Sequence, residues 1–276
     1  MSPKVEDLGG RAVFECNRIY KLKQLVMGRP LIIGIGGSHS GSGKTAIASM
    51  LLSALSSESR GPGAHRRWGA IKYTKTALYT SLTDDRATLD RKDKDTGKML
   101  EAGAEEVLWI RGPGEGIKET VSMAIDRLSH LDGIIIEGNS AIEFSNPDVV
   151  IFTLGVRGEE MEKASALRLI KHADIIVFPR GSKPPADKNV YSARVAYFDP
   201  EDRKTGEELL ACMDEVIEKH ILDRIKHLLT AQAVDGRISC ASARKIAEES
   251  KVPFGEVGKA ANELKIKIRN CELGCF

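Results

Sequence analysis

The feature that most constrains this chain is the stretch Leu31–Leu52, LIIGIGGSHSGSGKTAIASMLL. An apolar run gives way to a glycine- and serine-rich turn, and then to apolar residues at helical spacing. Gly43, Lys44 and Thr45 stand where the turn becomes the helix. A strand, a glycine-rich turn and a helix, with Gly-Lys-Thr at the junction, spell a phosphate-binding P-loop. Glycines let backbone N–H groups curl around phosphate oxygens with no Cβ in the way. The helix that follows presents its positive end to the same anion. The expected nucleotide-binding residues are therefore Ser40, Gly41, Ser42, Gly43, Lys44, Thr45 and Ala46. Lys44 would reach the β- and γ-phosphates, and Thr45 would offer its hydroxyl to Mg²⁺. One position departs from G-x-x-x-x-G-K-[ST]: its first glycine is replaced by Ser38, with Gly36 and Gly37 just before it. His39 either faces the phosphates or simply fills the loop.

What surrounds the loop decides which kind of sheet carries it. Apolar runs at Trp68–Tyr73, Glu105–Ile110, Gly133–Ile136, Asp148–Leu154, Asp174–Phe178 and Arg194–Phe198 read as further strands. Helical spacing predicts helices over Lys44–Leu55, Ile117–Leu131 and Glu159–Lys171, with a short one from about Asp95 to Ala104. Strands alternating with helices, several of them apolar throughout, predict an α/β fold with a doubly wound, mostly parallel sheet. Ligands of such sheets lie outside the carboxyl ends of the strands, where Lys72 and Glu137 also sit. The polar segment 74–98 shows no clean period and reads as a long loop. Residues 1–29 read as an N-terminal extension, residues 30–204 as the nucleotide-binding domain and residues 205–276 as an appended module.

The module reads as a long helix over Thr205–Leu229, a turn, helices at Ala241–Glu249 and Phe254–Leu264, and an alternating strand at Lys265–Arg269. This order resembles a winged helix. Residues 206–276 hold 11 Lys and Arg against 12 Asp and Glu, so the basic footprint of a DNA reader is missing. A packing or protein-contact role is the expectation, and nucleic acid is not an expected partner. A net charge of +2 for the chain argues for neither nucleic acid nor a membrane surface. No apolar run approaches the ~20 residues of a membrane span, and the first residues show no signal-peptide core. Five cysteines, an odd number, fit a reducing compartment, so a cytoplasmic protein is expected.

Several polar residues are candidates for chemistry. Glu137 is delivered by the strand GIIIE to the active edge, where it could hold Mg²⁺ or orient water. Lys72 at the end of the second strand could meet a phosphate or Glu137. Asp95 is either a metal ligand or the start of a helix, and Asp93 shares the first of those roles. Asp84 and Asp85 read as a solvated turn, and Asn139 and Ser140 as polar extensions of the Glu137 edge. The strand ending at Phe178 lacks an Asn-Lys-x-Asp stretch for guanine, which leaves Arg180 or Lys183 as base-stacking candidates and the choice of GTP or ATP open. Cys240, Cys271 and Cys275 crowd the module; three thiolates are one short of a common zinc site, and C-x3-C is not a usual zinc spacing.

Taken together, these stretches resemble the molybdopterin-guanine dinucleotide biosynthesis protein B family. The residues that carry the resemblance are Ser40–Thr45 (SGSGKT), Lys72-Tyr73-Thr74, Lys94-Asp95-Thr96, Glu101–Ala104 (EAGA) and Ile136-Glu137-Gly138, in the family's order. The family's His is Tyr73 here, and its first loop Gly is Ser38. The resemblance covers about Leu31 to Leu154 and leaves the module outside. It implies a small GTPase that uses Mg²⁺ and GTP beside molybdenum- or tungsten-cofactor maturation. A molybdopterin-related ligand or a cofactor-synthesis enzyme would then be its partner, with a homodimer left open. In that reading Lys44, Lys72 and Glu137 serve catalysis, and Thr45, Asp95 and Glu137 hold the metal. A small-molecule kinase seating its acceptor in the 75–94 loop is the first alternative. A nucleotide-gated regulator whose module binds DNA or protein is the second.

Overall fold

The computed structural model describes residues 29–56, 67–114, 116–155, 163–182, 192–250 and 252–270. Residues 1–28 of the N-terminal extension, residues 57–66, Lys183, Cys271 and Cys275 lie outside them. The chain divides into two compact units, one of which is Arg29–Met213 and the other of which includes Asp214 onward.

The first unit is built on eight strands: β1 (Leu31–Gly37), β2 (Trp68–Lys75), β3 (Ser81–Thr83), β4 (Glu106–Gly112), β5 (Gly133–Glu137), β6 (Val149–Thr153), β7 (Ile175–Pro179) and β8 (Arg194–Phe198). Their order in the sheet is β3-β4-β2-β5-β1-β6-β7-β8. Neighbours are parallel except β3, which runs antiparallel to β4. The central strands β1, β5 and β6 are buried at every residue. Strands buried on both faces favour apolar residues in succession, which is why Ile and Val dominate these three. On one face pack α1 (Lys44–Ser56) and α3 (Asp95–Glu101), which bury Ile47, Leu51, Leu52 and Met99. The other face is covered by α4 (Lys118–Arg127), α5 (Asn139–Ser145) and α6 (Ala164–Leu169). Each Leu or Ile buried to this extent contributes roughly 1.5–3 kcal/mol relative to exposure. The connection leaving β1 runs to β2 on one side and that leaving its neighbour β6 runs to β7 on the other, so the carboxyl ends of β1 and β6 form the switch point at which such folds bind ligands.

Several expectations need correction. The 74–98 segment is not all loop: it holds β3 and the short helix α2 (Arg86–Leu89). Asp85 is solvent-exposed as expected, but it also serves as the N-cap of α2, accepting from the Thr88 N–H at 3.0 Å. Lys72 lies within β2, which runs on to Lys75. Asn139 and Ser140, expected as polar residues of the Glu137 edge, open a helix, α5. The helix expected over Glu159–Lys171 is described as α6 followed by a 3₁₀ turn, Ile170–His172.

The helix α7 (Arg203–Gln232) runs longer at both ends than expected. Beyond it come β9 (Arg237–Ser239), α8 (Cys240–Glu249), α9 (Phe254–Glu263) and β10 (Lys267–Arg269). Ser239 caps α8, its Oγ accepting from Ser242 N–H at 3.0 Å. Ile225, Leu229, Ile238, Ile246, Val257 and Ile266 form this unit's own core. β9 and β10 pair in parallel, so among the described residues the module is helical with one small strand pair, and no hairpin wing is seen. No helix among the described residues is long and apolar enough to cross a membrane.

Candidate nucleotide site

The loop leaves β1 at Gly37 and enters α1 at Lys44. Gly41 and Gly43 carry φ of +79° and +95°, a backbone that side chains with a Cβ rarely adopt. Gly37 is required for a different reason: a Cβ there would lie 2.2 Å from Ser42 Oγ. Ser38 shows why its position tolerates a non-glycine. It is absent from the described non-glycine residues with positive φ, and it is fully buried. Its N–H donates to Thr153 O at 3.0 Å and its hydroxyl donates to Leu154 O at 2.5 Å. Thr153 in turn donates from Oγ1 to Ser42 O at 2.7 Å, so the end of β6 supports the loop from below.

Asn139, the first residue of α5, grips the other side. Its Oδ1 accepts from Gly37 N–H and its Nδ2 donates to Gly37 O, both at 2.9 Å. The amide thus satisfies both backbone groups of the residue where the loop begins. Asn139 is therefore a positioning residue, and Ser140 follows it in α5.

Lys44 is turned onto its own loop. Its Nζ donates to His39 O at 2.7 Å and to Ser42 Oγ at 3.2 Å. Burial lowers its pKa to about 8; Glu137 and Asp95 oppose that shift, whereas the neighbouring cations Lys72 and Lys163 add to it. His39 places Nδ1 2.7 Å from Ser40 O, so that nitrogen carries the proton it donates. Its Nε2 is buried beside Gly155 and has no hydrogen-bond partner among the described residues.

The charged residues expected at the strand ends do converge. Thr45 donates from Oγ1 to Glu137 Oε2 at 2.9 Å. Lys72 Nζ donates to Glu137 Oε1 and lies 2.7 Å from Asp95 Oδ2. The register of β2 on β5 sets Lys72 directly opposite Glu137, and α3 starts at Asp95 above them. Burial pushes the Asp95 carboxyl up, but the Lys72 hydrogen bond and charge, with help from the Thr45 hydroxyl, hold it below its usual range. Lys72 and Glu137 are only 13% and 2% exposed, so each neutralises a charge that would be costly alone. The hydroxyl of Thr45 and the carboxylates of Asp95 and Glu137 form an all-oxygen set around one ammonium. Few protein oxygens, with room for water and phosphate oxygens, are what Mg²⁺ takes. Among the described residues no group of three or more His, Cys, Asp or Glu is placed to hold a metal ion.

The remaining candidates lie apart. Asp93 pairs with Arg91 and Lys94 on the surface. Asp84 pairs with Arg127. Arg180 is engaged by Asp202. Cys240 is half-buried at the start of α8, and its two companions lie outside the described residues. Sequence reasoning missed Trp109 and Arg111 on β4. Trp109 donates from Nε1 to Thr74 Oγ1 at 3.0 Å, and the Arg111 guanidinium sits 4.6 Å over its ring. Their only sequence signal is i, i+2 spacing on a strand, which the apolar run masked.

The site lies at the carboxyl edge of a mostly parallel sheet flanked by helices. No protein-family model matches the chain, and no curated protein matches it. Among solved structures, HypB from Helicobacter pylori in complex with nickel matches with a TM-score of 0.48 and 13% identity, over 76% of this chain and 96% of that one. A likeness at that level bears on neither ligand nor reaction.

Proposed function

We propose that the chain is a Mg²⁺-dependent nucleoside triphosphatase. The observation that carries this reading is the double grip of Glu137, which holds the Thr45 hydroxyl and the Lys72 ammonium at once, beside the phosphate loop. Lys44 would release His39 O and Ser42 Oγ and take the β- and γ-phosphates in their place. The backbone N–H groups of residues 40–46 would bind the same oxygens. Thr45, Asp95 and Glu137 would hold Mg²⁺, which when bound neutralises charge on the β- and γ-phosphate oxygens. Glu137 also stands where it can orient the attacking water, and Lys72 adds positive charge as the γ-phosphate separates. Cleavage places the attacking water's oxygen on phosphorus and leaves the nucleoside diphosphate as the departing group.

GTP as the preferred nucleotide, and a role beside molybdenum- or tungsten-cofactor maturation, rest on the sequence resemblance. The residues that carry it, Lys72, Asp95 and Glu137, are also the ones gathered at the loop. The reading is tested by phosphate release from GTP and from ATP with Mg²⁺, in wild type and Lys44→Ala. Turnover that vanishes in the variant supports it. Equal turnover in both, or no nucleotide binding by either, overturns it. The accessory role is tested separately by whether the chain stimulates molybdopterin guanine dinucleotide formation in a reconstituted synthesis.

A further inference from the structure

The polar face of the sheet does not stop at Lys72. Residues directly opposite each other in a sheet share a face, and residues two apart along a strand return to it. Lys72 is paired with Glu137 on one side and with Trp109 on the other, and Trp109 is paired with Thr83. One row across β5, β2, β4 and β3 is therefore Glu137, Lys72, Trp109 and Thr83. The next row toward the carboxyl ends of β2 and β4 is Thr74, Arg111 and Ser81, from the pairs Thr74 with Arg111 and Arg111 with Ser81. The bond from Trp109 Nε1 to Thr74 Oγ1 places those two side chains on this face.

Arg111 is the unusual member. Arg29, Arg67, Arg127, Arg168 and Arg180 each meet a carboxylate. Among the described residues none ion-pairs with Arg111. Its guanidinium is stacked on the Trp109 ring instead, and its Nε is buried with no hydrogen-bond partner. A second polar atom at the same end of the strand pair is in the same state: Thr76 Oγ1 is buried and unpartnered, while Thr76 N–H donates to Gly112 O at 3.0 Å. Buried donors without partners are rare and costly in a finished structure. Stacking fixes the plane of the guanidinium, and a fixed fork of N–H donors matches the two oxygens of a carboxylate or phosphate. Strand spacing puts the Arg111 Cα about 8 Å from that of Lys72. A small molecule anchored at Arg111 thus reaches the phosphate end of a nucleotide held at the loop.

We propose that Arg111, braced by Trp109, is the anchor for the oxyanion of a second small-molecule ligand, a carboxylate or a phosphate, which lies along this face toward Lys72. That the ligand lies beside a nucleotide rests on the function proposed above; the anion site itself stands without it.

The chain carries its own reporter. It has two tryptophans, and Trp68 is 1% exposed, so Trp109 is the one placed to respond. The full chain is titrated at constant ionic strength with inorganic phosphate in one arm and succinate in the other, both with Mg²⁺ and a non-hydrolysable GTP analogue present to fill the loop. Lys44→Ala is titrated in parallel. The expected result is a saturable change in emission that Trp109→Phe removes and Arg111→Met abolishes. Arg111→Lys, which keeps the charge and loses the fork, shifts saturation to at least tenfold higher concentration. The arm that saturates at lower concentration identifies phosphate or carboxylate as the natural group. Saturation unchanged in Arg111→Met, or no saturable response in either arm, overturns the proposal. Binding of a fluorescent nucleotide separates the two readings. It is expected to survive Arg111→Met and to be lost in Lys44→Ala, whose Arg111-dependent anion response persists. If no nucleotide binds while the anion response still depends on Arg111, the nucleotide reading falls and the anion site stands.

Discussion

Glu137 and Lys72 face each other across the β5–β2 register, each nearly excluded from solvent and each the other's counter-charge. Asp95 adds a second carboxylate to the ammonium, and Thr45 a hydroxyl to Glu137. One ammonium therefore serves two carboxylates, and the members are coupled, so the effects of single substitutions within the cluster should not simply add.

Lys72→Met leaves Glu137 buried with only the Thr45 hydroxyl. The expected loss is about 3 kcal/mol of stability, from the range for breaking a buried ion pair. Glu137→Gln keeps an acceptor for Thr45 and leaves Asp95 as partner to Lys72, so it costs less. The double variant should be more stable than the two single losses added together. Denaturant unfolding of all four proteins checks this; strict additivity would show that the pair is not coupled.

Nucleotide affinity should fall as pH rises through about 8. Burial depresses the Lys44 pKa to that value, so the free site holds an ammonium below it and a neutral amine above it. Bound phosphates favour the ammonium, so binding above pH 8 takes up a proton and weakens by up to about tenfold per pH unit. Lys44→Arg, charged throughout, should show a flat profile in isothermal titration between pH 7 and 9.5.

Asn139→Ala removes both bonds to Gly37 and leaves that residue's N–H and C=O to find other partners. Stability should drop by about 1–3 kcal/mol. Nucleotide affinity should drop by at least tenfold. Asn139→Asp, which can accept from the N–H but cannot donate to the C=O, should fall between. A variant that binds nucleotide as wild type does would show that this amide does not shape the loop.

Gly37→Ala forces a methyl group against Ser42 Oγ, which is also an acceptor for Lys44. Nucleotide binding should be lost in an equilibrium assay while the far-UV spectrum stays native, because the closest clash is with the loop's own Ser42 and only a tighter contact with Thr153 O is added on β6. Gly41→Ala meets open space and disturbs binding only through its positive φ, so its effect should be the smaller of the two.

The sheet was legible because its central strands are buried throughout and apolar up to their carboxyl ends, where Glu137 and Thr153 stand. Lys72, Asp95 and Glu137 were legible as candidates because each sits where an apolar run ends or a helix begins. What could not be read was short or depended on register. β3 has three residues and α2 has four, too few to show any period. Asn139–Ser145 is a helix of two turns whose first residues look like a polar turn. Arg111 and Trp109 acquire meaning only from the pairing of β4 with β2 and β3, and no local pattern encodes that pairing. The choice between GTP and ATP could not be read because no Asn-Lys-x-Asp stretch follows the strand that ends at Phe178.

Three consecutive residues have a mechanical consequence. Glu137 holds Thr45, just past the loop, and Asn139 holds Gly37, just before it. Gly138 lies between them at a φ of +133°. Both banks of the phosphate loop are therefore moored to one tripeptide. A displacement of that tripeptide pulls on the two moorings together, so the loop tightens or slackens as a single yoke rather than one side at a time.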